Sequence, residues 1–179
     1  MTAEIPTIIE QTQRWVQQLI VKYNICPFAR REVERKSIRY VVAEQPDIAS
    51  VLQQLLDEAK HLDETAETET TLFILPQGFE GFHGFLGLVD MADALLIEEG
   101  YEGVYQLAHF HPDYCFDGEP QDDPANYTNR SPFPTLHLLR EASLEKAIEQ
   151  YDDPESIPER NIEFCRRKGA EFFVKILNG

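Results

Sequence analysis

The chain has 179 residues, 32 of them acidic and 16 basic, for a formal charge of −16. That length suits one globular domain over residues 1–179 with a proper core, and an apolar share of 42% excludes a disordered chain. The negative field repels phosphate backbones and anionic lipid, so neither nucleic acid nor a membrane is expected as a partner.

The start, MTAEIPTIIEQTQRW, carries neither a basic nor an apolar leader, and no apolar run is long enough to span a bilayer. A soluble, cytoplasmic protein is expected. Thr7 and Glu10 fit a capping box, after which Ile8, Ile9, Trp15, Val16, Leu19, Ile20 and Tyr23 recur at helical spacing. Asn24 and Pro27 end that helix, and Asn24 to Arg30 reads as an ordered turn. Arg30, Arg31, Arg35, Lys36 and Arg39, interleaved with Glu32 and Glu34, read as a solvated stretch, within which Arg30 is a candidate for meeting an anionic substrate.

Ile38 to Ala43 is the first predicted strand. Asp47 caps a helix with Ile48, Val51, Leu52, Leu55, Leu56 and Ala59 inward, and Asp63 to Glu69 is an acidic connector. Thr71 to Leu75 is the second strand. A glycine-spaced turn then leads into a helix that ends at Gly100, and Val104 to Phe110 is the third strand. Alternation of strand and helix favours a small, mainly parallel three-stranded sheet packed by helices, an α/β (or α+β) fold. Beyond a proline-rich loop, Leu136 and Leu139 suggest a short helix containing His137. Ser143 caps another, and the last helix follows Pro158 with Gly169 as a break, so both terminal segments are helical.

The chemistry gathers where the third strand ends, in the run His109-Phe-His111-Pro-Asp113-Tyr-Cys115-Phe-Asp117. Residues two apart on a strand share a face, so His109 and His111 can share a ligand. With Asp113, and His137 to complete the set, they make a candidate shell for a divalent metal, zinc or iron. Without a metal, one histidine would serve as acid/base and Cys115 as nucleophile. The loop also offers Asn126, Asn129 and Arg130 for substrate binding, with Arg130 as an anion clamp or as a tie to the loop's own backbone. His83, between Gly81 and Gly84, opens a helix whose free N–H groups suit a carboxylate or phosphate. Cys26, Cys115 and Cys165 are odd in number and contain no C-x-x-C pair, which points to reduced thiols.

His109-x-His111-x-Asp113 resembles the H-x-H-x-D-H of metallo-β-lactamase-type zinc hydrolases, but Tyr114 stands where the next histidine belongs. Echoes of cupins and of iron oxygenases fail because the chain is dominated by helices. Over nearly its whole length the chain resembles a bacterial family known as domain of unknown function 1415. The residues that carry this are Asn24-Ile-Cys-Pro-Phe-Ala, Leu75-Pro-Gln, His109-Phe-His-Pro-Asp-Tyr-Cys-Phe and Asn129-Arg-Ser-Pro-Phe-Pro. The resemblance implies a single cytoplasmic domain and no particular reaction. Three readings follow: a small-molecule enzyme with its site after the third strand, in its metal form a hydrolase; a non-catalytic small-ligand or metal-binding module; and an acidic interaction protein.

Overall fold

The computed structural model describes residues 4–179. Its first helix, α1, runs Ile5–Trp15 and continues as a π-helical turn over Val16–Val21. Pro6 sits in the first turn, where its missing N–H costs nothing. Thr7 therefore lies inside the helix and the capping box does not form; Glu4 is the N-cap and makes no side-chain bond. Helix α2 spans Ala29–Arg35, so the end of the expected turn, Ala29 and Arg30, is helical. Strand β1 is Ile38–Val42 and helix α3 is Ile48–Glu64. Asp47 does cap α3, its carboxylate accepting the Ser50 N–H at 3.0 Å. Strand β2 is Thr70–Ile74, helix α4 is Phe82–Glu98 and strand β3 is Tyr105–Phe110.

The segment expected as a short helix is instead strand β4, Thr135–Arg140. Leu136 and Leu138 alternate inward and are fully buried, whereas His137 faces the other way. Helices α5 (Glu141–Glu149), α6 (Ile157–Lys168) and α7 (Ala170–Asn178) follow. α5 begins two residues before Ser143, and Gly169 separates α6 from α7 at φ +77°. The sheet is four-stranded and mixed, in the order β1-β2-β4-β3. Only β1 and β2 pair in parallel; β4 runs antiparallel to both β2 and β3. The expectation of three mainly parallel strands is corrected accordingly. β1, β2 and β3 nevertheless point the same way, because the α4 crossover skips one strand position and β4 fills it.

Helices cover both faces. Phe73, Leu75, Leu136 and Leu138 pack under α3 and α4 with Leu55, Phe85 and Leu88. On the other face Leu72 and Phe110 meet Trp15, Leu19, Tyr127 and Phe173. The loops after β1 and β2 press together at the edge where β3 also ends. Gly78 has φ +86°, and a Cβ there would sit 2.4 Å from the Pro46 carbonyl oxygen. Gly78→Ala is therefore expected to destabilise by about 2 kcal/mol, combining the left-handed backbone cost with displacement of the Pro46 loop. Urea unfolding of the variant checks this; an unchanged midpoint would show that the loop yields freely.

Candidate functional site

The loop from His111 to Pro134 is ordered by its own polar side chains. His111 is fully buried. Its Nδ1 accepts the Asp113 N–H at 2.9 Å, and its Nε2 lies 2.9 Å from the Phe79 carbonyl oxygen. A backbone N–H can only donate and a carbonyl can only accept, so the ring must be the neutral Nε2–H tautomer. Burial pushes its pKa below the usual histidine value, partly offset by the Phe79 bond and the Asp113 charge. Both nitrogens are thereby committed to backbone groups in this arrangement.

Asn126, also fully buried, is the hub of the next turn. Its side-chain oxygen accepts the Phe116 N–H at 2.9 Å and its amide donates to the Pro120 carbonyl at 2.9 Å. The Cys115 thiol donates to the Glu119 carbonyl at 3.2 Å, with the Asn126 amide at 3.8 Å. No imidazole hydrogen-bonds to that sulfur among the described residues. Arg130 is 8% exposed; it donates to the Tyr114 and Gln121 carbonyls at 3.0 and 2.7 Å and lies 4.7 Å over the Tyr127 ring. Asn129 lends its backbone carbonyl to the His111 N–H at 3.2 Å. Outside the loop, Arg166 on α6 pins it through Asp123 at 2.9 Å and Glu119 at 3.2 Å.

His109 remains. It faces the same way as His111, with Phe85 shared between the two rings and Tyr114 5.6 Å away. It is half-buried, and its nitrogens make no hydrogen bond to described residues. Burial lowers its pKa, while Asp93 and Asp90 on α4 draw it back up. Asp93 in turn is raised by burial, against the pull of His109. Sequence reasoning missed both aspartates, because their spacing on α4 carries no motif.

The other nominated residues lie apart. His137 is on the opposite face of the sheet, between Leu72 and Ala108 in register, with Nε2 at 2.7 Å from the Thr70 hydroxyl. Burial holds its pKa down at about 4. The Asp113 and Asp117 carboxylates are exposed, as is His83 in the first turn of α4. The turn before α4 already receives a carboxylate of the chain itself, since Glu80 accepts the Gly78 N–H at 2.9 Å. Arg30 donates to the Val21 carbonyl at 3.3 Å and meets none of the loop residues. Among the described residues, no group of three or more histidine, cysteine, aspartate or glutamate side chains comes together to hold a metal ion.

A concavity does exist on the outer side of the loop. α1, the loop and α7 enclose an open cleft of about 460 Å3. Gln11 and Arg14, one helical turn apart on α1, line it together with Asn178. Phe133, Val174, Leu177 and Tyr127 give it apolar lining. No linear pattern could have joined these three segments. Among the described residues, no helix is long and apolar enough to cross a membrane.

No curated protein and no solved structure matches this chain. One family model does, over residues 7–175, and the chain belongs to that family, described as Protein of unknown function (DUF1415).

Proposed function

We propose that this protein is a non-catalytic module that binds a small organic ligand in the cleft between α1, the His111–Pro134 loop and α7. One observation carries the reading: the polar side chains gathered after β3 direct their hydrogen bonds to backbone groups, His111 to those of Phe79 and Asp113, and Asn126 and Arg130 to those of their own loop. A catalytic group needs a base or nucleophile within reach of another reacting group, and among the described residues the candidate thiol hydrogen-bonds to carbonyls and an amide. The loop is then a scaffold, and partly exposed Phe133 is what it presents to the cleft, with the Ser131 hydroxyl buried on the Phe133 carbonyl. A cleft of this volume falls within the range of small-molecule sites, which combine apolar walls with a few placed polar groups.

His109 supports a second reading. It is the imidazole of the pair that makes no hydrogen bond to described residues, and the charges of Asp93 and Asp90 draw its pKa up against burial, a combination suited to acid–base chemistry. Amide-shift mapping with a library of metabolite-like fragments separates the two. Fragments should move the amides of Arg14, Phe133 and Val174, and Val174→Trp, which fills the cleft from an exposed position, should abolish those shifts. Fragments that instead cluster at His109, Tyr114 and Asp93 and are turned over would overturn the binding-module reading.

A further inference from the structure

Cations of this acidic chain converge on one cluster of aromatic rings. Tyr23, just past the π-helical turn, packs against Phe164 of α6 and Phe172 of α7, with both ring centroids 5.3 Å away. All three rings are half-buried, and a cation lies over each. Lys22 is 5.5 Å from the Tyr23 centroid, Arg167 and Lys168 are each 5.9 Å from that of Phe164, and Lys168 is 5.0 Å from that of Phe172. Two more cations hold the same segment: Arg30 of α2 donates to the Val21 carbonyl at 3.3 Å, and Arg160 of α6 to the Asn24 carbonyl at 2.9 Å. None of these five forms an ion pair with a carboxylate of the described residues. Glu159, Glu163 and Glu171 lie on the same two helices and pair with none of them, and Glu32 of α2 sits with Arg31 and Arg35 instead. The last turn of a helix favours cations, which accounts for the sign of Arg167 and Lys168. It does not account for cations from three separate segments meeting at one set of rings.

From this geometry we infer that the surface docks an acidic segment of a partner protein. Its carboxylates pair with Lys22, Arg167 and Lys168, and an apolar side chain between them lies against the half-buried rings. The inference goes beyond the cleft, with which this surface shares no residue. Charge complementarity selects the partner: exposed cations without counterions, in a chain of net charge −16, are matched by carboxylates. The rings contribute by restraining the cations, because a flexible side chain already held over an aromatic face loses less freedom on pairing. Single-stranded nucleic acid fits less well. It stacks its bases on open ring faces, whereas here a cation lies over each ring and Phe172 stands edge-on to Tyr23 and Phe164, at 73° and 86°. A long phosphate backbone or an anionic bilayer would also run past the chain's own acids, which a short peptide avoids.

A capped peptide repeating Glu-Phe-Glu-Glu-Leu-Glu tests it, titrated into labelled full-length protein at low salt and followed by amide shifts. The peptide should move the amides of Tyr23, Phe164 and Phe172, and its binding should weaken as salt is added. A counterpart with glutamine for every glutamate should bind at least about tenfold more weakly. Arg167→Gln combined with Lys168→Gln should weaken the acidic peptide about tenfold as well. Both side chains are exposed, so the fold should not change. Arg167→Glu combined with Lys168→Glu should abolish that binding and admit the same peptide with lysine in place of glutamate, a reversal that a purely structural role would not produce. Equal binding of the glutamine counterpart would overturn the role of charge. Oligothymidylate or phosphatidylserine vesicles binding more tightly than the peptide would overturn the choice of partner. Shifts elsewhere on the molecule, or none with any probe, would overturn the surface itself and leave the cleft reading untouched.

Discussion

His111→Ala is expected to destabilise the protein by about 3–4 kcal/mol. The substitution leaves the Phe79 carbonyl without its partner in a buried position and the Asp113 N–H without its partner in a part-buried one. Each unpaired buried group costs about 1–3 kcal/mol, and the vacated ring volume adds to that. For a chain of this size the melting temperature should fall by about 10 °C. The loss should be local in origin, so that amide protection drops first along the loop that starts at Pro112. His109→Ala should be milder, because that ring is half-buried and holds no hydrogen bond among the described residues. Denaturant melts of the two variants check the ranking. If His109→Ala proved the more damaging, or if His111→Ala left stability within about 0.5 kcal/mol, the account of His111 as the loop's anchor would be wrong. Nitrogen-15 shifts offer a direct check as well, since His111 should stay in its Nε2–H tautomer through neutral pH.

Much of the framework was legible before any coordinates. The three strands with β-branched or alternating apolar residues were placed within a residue at most of their ends, and the Asp47 cap and the Gly100 stop were read from residue type alone. What failed was Thr135–Arg140. Its Leu136 and Leu139 spacing fits a helix, leucine is a strong helix former, and the segment runs directly into α5. Tertiary context decides it. The slot between β2 and β3 must be filled, and a strand there pairs with both neighbours, completing two ladders. The same gap explains why the sheet is mixed although β1, β2 and β3 share a direction. The capping box failed for a simpler reason: Pro6 starts the helix earlier than Thr7 allows.

The site was legible in place but not in role. Strand periodicity put His109 and His111 on one face, and their shared contact with Phe85 agrees. What periodicity cannot tell is whether an imidazole has a lone pair to offer. That depends on Phe79, which reaches His111 from the loop after β2, thirty-two residues away in sequence. Arg130 and Asn126 were ambiguous between ligand binding and loop tying, and the tying bonds, to the carbonyls of Tyr114, Gln121 and Pro120, come from turns that residue type alone does not place. The cleft was invisible for the same reason: Arg14, Phe133 and Val174 are brought together only by folding.

Stability should fall as the pH drops from about 6.5 to 4, well before most carboxylates protonate. His137 is held neutral by burial, with its pKa down at about 4, and His111 and His109 are lowered in the same direction. A histidine whose folded pKa is depressed below its unfolded value contributes fully above about 6.5. That contribution is lost as the pH falls toward the folded pKa, because the unfolded chain takes up the proton first. For His137 alone the loss is about 3 kcal/mol at most by pH 4. Opposing terms exist. Asp93, raised by burial, is easier to bury once protonated, and the −16 charge repels itself less as acid is added. The carboxylates held low, Asp47 by the Ser50 N–H and Asp123 by Arg166, resist loss until the pH is below about 4. A fall in stability within the window therefore has to come from the imidazoles. His137→Leu isolates the largest of them, because the Thr70 hydroxyl keeps the Leu138 carbonyl as its acceptor when the ring is gone. Urea midpoints measured every half pH unit should show a clear slope in the parent and a shallower one in the variant. Identical slopes would mean that His137 reaches water more readily than its place between Leu72 and Ala108 indicates. A parent that gains stability on acidification would show that charge repulsion outweighs all three imidazoles.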